Sequence, residues 1–317
     1  MPAPIALFVY NRPRHTRLTV EALAGNELAS DSDLFIFSDA ARNEQAAAAV
    51  AETRAYVATI RGFRSVQVIR RESNFGLAAS ITDGVGMLCR EFGRAIVMED
   101  DLQSSPHFLR FMNAGLDLYC DDDSVMHVSG SAYPVREFGL NSTYFLRVPL
   151  CWGWATWSRA WQHFRKDVDV MQRFDAAMIR EFNFDGTHDY WGQLEANRDG
   201  RMNTWFVFWY ASVFLRQGLA LFPRKPMVRN IGMDGTGVHC SATSDFDVQV
   251  SEEPIQPVRM PLEVSAPAYR SHRNYFRSLQ PSLRERGLRK ARNALRRIWA
   301  GRSGRPAGAE RGRDGRR

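Results

Sequence analysis

The chain of 317 residues is 44% hydrophobic and 12% aromatic, enough apolar material for a sizeable core. Its net charge of +7 is concentrated: residues 270–317 hold 16 Lys plus Arg against 3 Asp plus Glu, a net of +13, which leaves residues 1–269 at −6. A mildly acidic body excludes a nucleic-acid footprint spread over a folded domain, and no apolar stretch approaches the roughly 20 residues of a membrane span.

The first hundred residues alternate short apolar runs with helical patterns. Ile5–Tyr10, Leu34–Phe37 and Ser65–Arg70 read as strands, and Pro13 suits the start of a helix carrying Leu18, Val20, Ala22 and Leu23. An alanine-rich helix is expected around Asn43–Ile60 and another from Ala78 to Arg90. Right-handed crossovers then give a parallel sheet with helices on both faces. The fourth strand, Ile96-Val97-Met98, stops abruptly at Glu99-Asp100-Asp101. Adjacent carboxylates raise one another's pKa, so the triplet calls for a hard divalent cation or, alternatively, serves as the N-cap of a helix near Pro106. In a parallel sheet Tyr10-Asn11-Arg12, Ser38-Asp39, Asn74-Phe75-Gly76 and Glu99-Asp100-Asp101 converge at one edge. There Arg12 suits a phosphate, Asp39 a base or ribose, and Gly76 a close approach to backbone, or each of the last two is simply a turn or helix-entry residue. No G-x-G-x-x-G follows the first strand and no G-x-x-x-x-G-K-[ST] is present.

Beyond Pro106 a helix His107–Tyr119 and a strand Ser124–Ser129 precede the aromatic block Trp152-Gly153-Trp154-Ala155-Thr156-Trp157. Its tryptophans form core or a stacking platform for a sugar ring, core being expected for at least two of the three. Gln162–Arg198 reads as charged and mostly helical, and Trp205–Leu215 as an apolar helix ended by Gly218. Leu219–Phe222 and Met227-Val228 look like strands leading to a glycine-rich loop, Asn230–His239, able to fold over a ligand. Residues 246–269 read as an extended connection, Leu283–Ala300 as a basic amphipathic helix or a merely solvated one, and the remainder as disorder. Cys89, Cys120, Cys151 and Cys240 are too scattered for a zinc knuckle or redox pair, and with no secretory pattern the expected location is cytoplasmic.

Ala95–Phe111, with Glu99-Asp100-Asp101-Leu102 and Pro106-His107-Phe108, resembles the acidic motif and following helix of the GT-A glycosyltransferases. Within them the chain is most similar to the N-acetylglucosaminyltransferase I-like branch and its bacterial relatives. Tyr10-Asn11-Arg12, Ser38-Asp39, Gly153-Trp154 and Gly237-Val238-His239 extend the resemblance over residues 4–240, and Asn74–Ser80 is similar to family-2 glycosyltransferases. The resemblance implies an α/β, Rossmann-like GT-A fold with a mostly parallel central sheet flanked by helices, a C-terminal acceptor-binding part and a basic tail. Residues 1–245 would form the transferase domain (1–102 the nucleotide-sugar half, 103–245 the acceptor half), 246–269 the connection and 270–317 the tail.

The implied activity is transfer of a hexosyl or N-acetylhexosaminyl group from a UDP-sugar to a hydroxyl of a glycan or glycolipid, with Mn2+ or Mg2+, in cell-surface polysaccharide or lipopolysaccharide synthesis. By the same resemblance Asp101 binds metal directly and His239 reaches the metal or diphosphate. Glu99 and Asp100 act through water or ribose, and Tyr10, Arg12, Asp39, Asn74 and Gly76 hold the donor. Trp152, Gly153 and Trp154 form the platform. The family's catalytic aspartate lies on a helix after the Gly-Trp segment, where this chain has Asn203-Thr204-Trp205 and no carboxylate. Asp234, Asp189 and Glu195 are the substitutes, Asp234 preferred for its place in the glycine-rich loop, although an Asp-Gly pair is more often a turn. The other readings are a sugar nucleotidyltransferase and a non-catalytic glycan-binding relative. A peripheral contact with the inner face of a membrane through residues 283–300 is the expected partner of the tail.

Overall fold

In the computed structural model, which describes residues 1–135, 139–235 and 245–280, an eight-stranded mixed sheet forms the centre of the molecule. Its first half is the expected one. Strands β1 (Ile5–Val9), β2 (Asp33–Ser38), β3 (Ser65–Arg70) and β4 (Arg94–Glu99) lie in the order 3-2-1-4 and pair in parallel, with α1 (Pro13–Ala24), α2 (Glu44–Val57) and α3 (Gly76–Phe92) as crossovers. Pro13 opens α1 at its first turn, and the side chain of Asn43 caps α2 by accepting from the Ala46 N–H at 3.1 Å.

A second, two-stranded sheet begins at once with β5 (Leu102–Ser104), followed by α4 (Phe108–Leu118), β6 (Val125–Ser129) and β7 (Thr143–Leu146). Strand β8 (Trp154–Trp157) carries the aromatic block, and helices α5 (Ser158–Trp161), α6 (Ala176–Phe182), α7 (Tyr190–Arg198) and α8 (Phe206–Leu215) come next. Strands β9 (Leu219–Pro223) and β10 (Val228–Asn230) follow, and α9 (Ala266–Leu279) is the last described element. The full order is 3-2-1-4-8-6-9-7, and four of the seven pairings are parallel; β8 enters antiparallel to both β4 and β6.

The period of two along β1 explains why both faces of the sheet are covered. Ala6 and Phe8 point to a layer that includes Ile81, Val85 and Leu88 of α3, whereas Ile5, Leu7 and Val9 point to one that includes Val20 and Leu23 of α1 and Leu109 of α4. Gly84 lets α3 sit close: a Cβ there would lie 2.8–2.9 Å from the rings of Phe8 and Phe37.

The expected extended connection is only partly so. Residues 251–265 run without regular structure along the body, held by Ser251 N–H to the Pro226 carbonyl, Tyr119 OH to the Val258 carbonyl and Ser265 N–H to the Phe145 carbonyl, at 2.8, 3.1 and 2.9 Å. From Ala266 the chain is helical, and α9 buries Ala268, His272 and Phe276 in the core, one residue per turn on one face. Residues to Arg277 form one compact unit; Ser278–Arg317 form another, most of which lies outside the described residues, as do the expected helix 283–300 and His239.

Candidate active site at the ends of β1 and β4

From β1 the chain first builds outward to β2 and β3 and then returns to place β4 on the other side of β1. This reversal puts the carboxyl ends of β1 and β4 at the position where open α/β sheets bind ligands. Tyr10-Asn11-Arg12 leaves β1 there and Glu99-Asp100-Asp101 leaves β4; in register, Phe8 lies beside Glu99. The triplet does not cap a helix. It forms the turn between β4 and β5 and is pinned from three sides. Tyr10 N–H donates to Asp100 Oδ2 (3.1 Å), Thr19 Oγ1 donates to the Asp100 carbonyl (2.9 Å) and Ile231 N–H donates to the Asp101 carbonyl (2.8 Å).

Pairing of β5 with β10, in which Leu102 faces Asn230, brings the described start of the glycine-rich loop, residues 230–235, to this turn. Arg12 then joins the turn to the loop: its Nη1 donates to Asp101 Oδ2 at 2.7 Å and its Nη2 reaches Asp234 Oδ1 at 3.4 Å. His15 Nε2 lies 3.1 Å from Asp234 Oδ2 and 3.1 Å from Arg12 Nη2. Gly232 lies so tightly on this group that a Cβ would fall 2.1 Å from Asp101 Oδ2 and 2.6 Å from Arg12 Nη1. No other residue type fits without displacing the pair.

Charge in the turn is incompletely neutralised. Burial, with the charges of Asp101 and Asp100, raises the Glu99 carboxyl well above the usual range. Burial and the charge of Asp101 push Asp100 up to about 7. Asp101 is raised by burial too, against the pull of Arg12. Arg12 pairs with Asp101 and Asp234, and neither Glu99 nor Asp100 has an ion pair among the described residues, so a further cation has a natural place there. The donors are hard carboxylate oxygens, which suit Mg2+ or Mn2+; among the described residues no group of three or more His, Cys, Asp or Glu ligands is assembled. A cation held here would therefore take one or two carboxylates and complete its shell with phosphate oxygens and water, the habit of Mg2+.

Other expected site residues have different work. Both oxygens of Asp39 are occupied: Oδ1 accepts from the Ala40 and Phe75 N–H groups (2.9 and 2.8 Å), and Oδ2 from Asn74 Nδ2 and the Gly76 N–H (both 2.9 Å). The roughly four acceptor positions of a carboxylate are thereby filled. Asp39 closes the N-terminus of α3 instead of a base or ribose, and Asn74 and Gly76, whose φ is +70°, serve that same closure. Tyr10 accepts from the Arg42 N–H through its hydroxyl at 3.0 Å.

Trp154 is a core residue and no platform: it is fully buried, stacks on His127 and Trp205, and leaves Trp152 as the part-exposed ring of the pair, edge-on to Phe246. Trp157 is buried as well, so two of the three tryptophans are core. Gly153 serves packing, since a Cβ there would lie 2.7 Å from Val228 and 3.2 Å from the Met98 sulfur. Asp189 caps α7 by accepting from the Gly192 N–H at 2.9 Å, and Glu195 lies on the same helix, which packs against α8 and the 3-10 turn Val168–Arg173. Of the three substitute bases only Asp234 is brought to the acidic turn by a described contact. His15 was not foreseen; its signal was its place three residues after Arg12, on the first turn of the helix that Pro13 opens.

No protein-family model matches the sequence, and no curated protein matches it. Among solved structures the chain is similar to Staphylococcus aureus TarS, at 11% identity and a TM-score of 0.28 over 41% of this chain and 21% of that one. A structure of residues 1–349 of TarS gives 9% identity and a TM-score of 0.34 over 55% of this chain and 49% of that one. GalNAc-T7 with UDP, GalNAc and Mn2+ gives 10% identity and a TM-score of 0.43 over 70% of this chain and 43% of that one. The chain thus spans less than half the length of each of these proteins, and the superpositions are partial.

Proposed function

We propose that this chain is a glycosyltransferase that moves a hexosyl or N-acetylhexosaminyl group from a UDP-sugar to a hydroxyl of a glycan or glycolipid. The observation that carries the reading is the group Arg12–Asp101–Asp234 at the carboxyl ends of β1 and β4, with two more acids half-buried beside it. The GT-A likeness of the acidic motif, in the N-acetylglucosaminyltransferase I-like manner, supports the same chemistry from the sequence side.

Loss of a nucleoside diphosphate leaves negative charge on its oxygens. A divalent cation, Mn2+ or Mg2+, held at Asp101 would stabilise that charge as a Lewis acid. Arg12 can turn its planar fork from Asp101 to the diphosphate, and Asp101 gains a free oxygen by that exchange. Glu99 and Asp100 orient the turn, and opposite charge arriving there lowers their raised pKa values. Asp234, 42% exposed on its side chain, is open to an acceptor hydroxyl and is the residue we assign as general base, with His15 orienting it. The exposed part of Trp152 offers a ring for a sugar face. Synthesis of a cell-surface polysaccharide or lipopolysaccharide, with the basic residues 283–300 resting on the cytoplasmic face of a membrane, completes the reading.

The test is UDP release across a panel of UDP-sugars with and without chelator. Activity should fall at least about a hundredfold in Asp101→Ala and under chelation, a loss typical of removing an electrostatic stabiliser. Normal turnover in either case overturns the metal assignment. Pyrophosphate release from a nucleoside triphosphate and a sugar phosphate would make the chain a nucleotidyltransferase, and donor binding without turnover a glycan-binding relative.

A further inference from the structure

Four strands beyond β4 the sheet ends at β7, where α6, α8 and the start of α9 line an open recess of about 630 Å³. That size falls within the roughly 300–1,000 Å³ of small-molecule sites. Its floor is apolar: Val148, Phe184, Tyr210 and Phe214 are each at most 4% exposed. Its rim is cationic. Arg147 pairs with Glu181 at 2.8 Å and Arg273 with Asp185 at 3.0 Å, so both carboxylates of the rim are already neutralised. Arg180 and Arg270 stand exposed at the same rim with no carboxylate partner among the described residues.

The wall between floor and rim is held in an unfavourable backbone conformation. Phe184, Asp185 and Gly186 are consecutive left-handed residues, with φ of 51°, 53° and 78°. For a phenylalanine this is a real outlier, and such strain persists only where surrounding contacts over-determine it. Here it lays Phe184 flat on Tyr269, ring centroids 5.0 Å apart, and turns Asp185 toward Arg273.

We propose that this recess binds an anionic lipid, with its alkyl chain on the apolar floor and its phosphate between Arg180 and Arg270. A small inorganic anion would leave the floor unfilled, and a neutral amphiphile would leave two guanidinium groups without a partner. The sequence following α9 is strongly basic, which favours an anionic bilayer as the source of the lipid. The site lies at the opposite edge of the sheet from β3 and draws on no residue of the acidic turn, so it stands or falls apart from the transfer reaction.

Calorimetric titration of the full chain with dodecyl phosphate, below its micellar concentration and without donor or cation, tests this. Saturable binding of one molecule per chain is expected, with dodecanol and inorganic phosphate each at least about tenfold weaker. The double variant Arg180→Glu/Arg270→Glu should weaken binding by about tenfold or more, and Ala177→Trp, which fills the mouth of the recess and keeps every charge, should do the same. All three substitutions are at exposed positions, and unchanged thermal unfolding would show that they leave the fold intact. Wild-type affinity in both variants would assign the binding to the basic residues beyond α9 and overturn the proposal. Absence of binding by the wild-type chain, or equal affinity for inorganic phosphate, would overturn it too.

Discussion

Asp100 carries the clearest pH signature in the molecule. Its folded-state pKa is raised to about 7, through burial first and the charge of Asp101 second, from the ordinary 3.8 of a free aspartate. A raised folded pKa means that the folded chain holds the proton more tightly than the unfolded chain. The stabilisation is fully present below about pH 3.8 and is lost as pH rises through about 7. Asp100→Asn keeps an oxygen for the Tyr10 N–H and removes the charge. It should therefore stabilise the chain at pH 8 by an amount on the order of 1–3 kcal/mol and leave it little changed at pH 4, as read from urea unfolding at the two pH values. Equal effects at both would show that the acids are not electrostatically strained. A run of carboxylates after an apolar strand is a local pattern, so this strain was legible in the sequence. The partners were less so: Arg12 and Asp234 are 222 positions apart, and only the pairing of β5 with β10 brings them together.

At the level of single elements, the helix entry at α3 separates what a motif suggests from what it does. Ser38-Asp39 and Asn74-Phe75-Gly76 lie at strand ends and look ready for a nucleotide, yet they satisfy each other. Both segments fall at one edge by sequence pattern alone, but lone pairs cannot be counted across the 35 positions that separate Asp39 from Asn74. Asp39 is 6% exposed, and its loss would strand several N–H donors at once. Asp39→Ala should accordingly destabilise the chain by about 3 kcal/mol in the absence of any ligand, since each buried donor left unpaired costs about 1–3 kcal/mol. Asp39→Asn should rescue only part, because its amide can serve the Ala40 and Phe75 N–H groups through one oxygen but faces Asn74 and Gly76 with a donor. Chemical denaturation without nucleotide checks both. Full stability of Asp39→Ala would return the residue to the role of a free ligand for the donor.

For the molecule as a whole, the decisive segment is the one whose composition disguised it. The chain from Arg270 onward is so basic that a tail was the natural reading, and mean polarity hid the face formed by Ala268, His272 and Phe276 at four-residue spacing. Burial there is complete enough to press the His272 imidazole down to about 4, and Phe276 packs among Tyr133, Phe184, His188 and Tyr190. A cut after Tyr269 therefore removes part of the core, whereas a cut after Gln280 removes only residues beyond α9. Removing a buried phenylalanine side chain alone costs about 3–5 kcal/mol, and the shorter chain also exposes the surface that His272 and Phe276 cover. The chain ending at Gln280 should unfold at the same denaturant midpoint as the full chain. The chain ending at Tyr269 should lose at least about 3 kcal/mol or fail to accumulate as soluble protein. If the Tyr269 chain instead matched the full chain in stability, α9 would be an appendage and the basic tail would begin where its charge does.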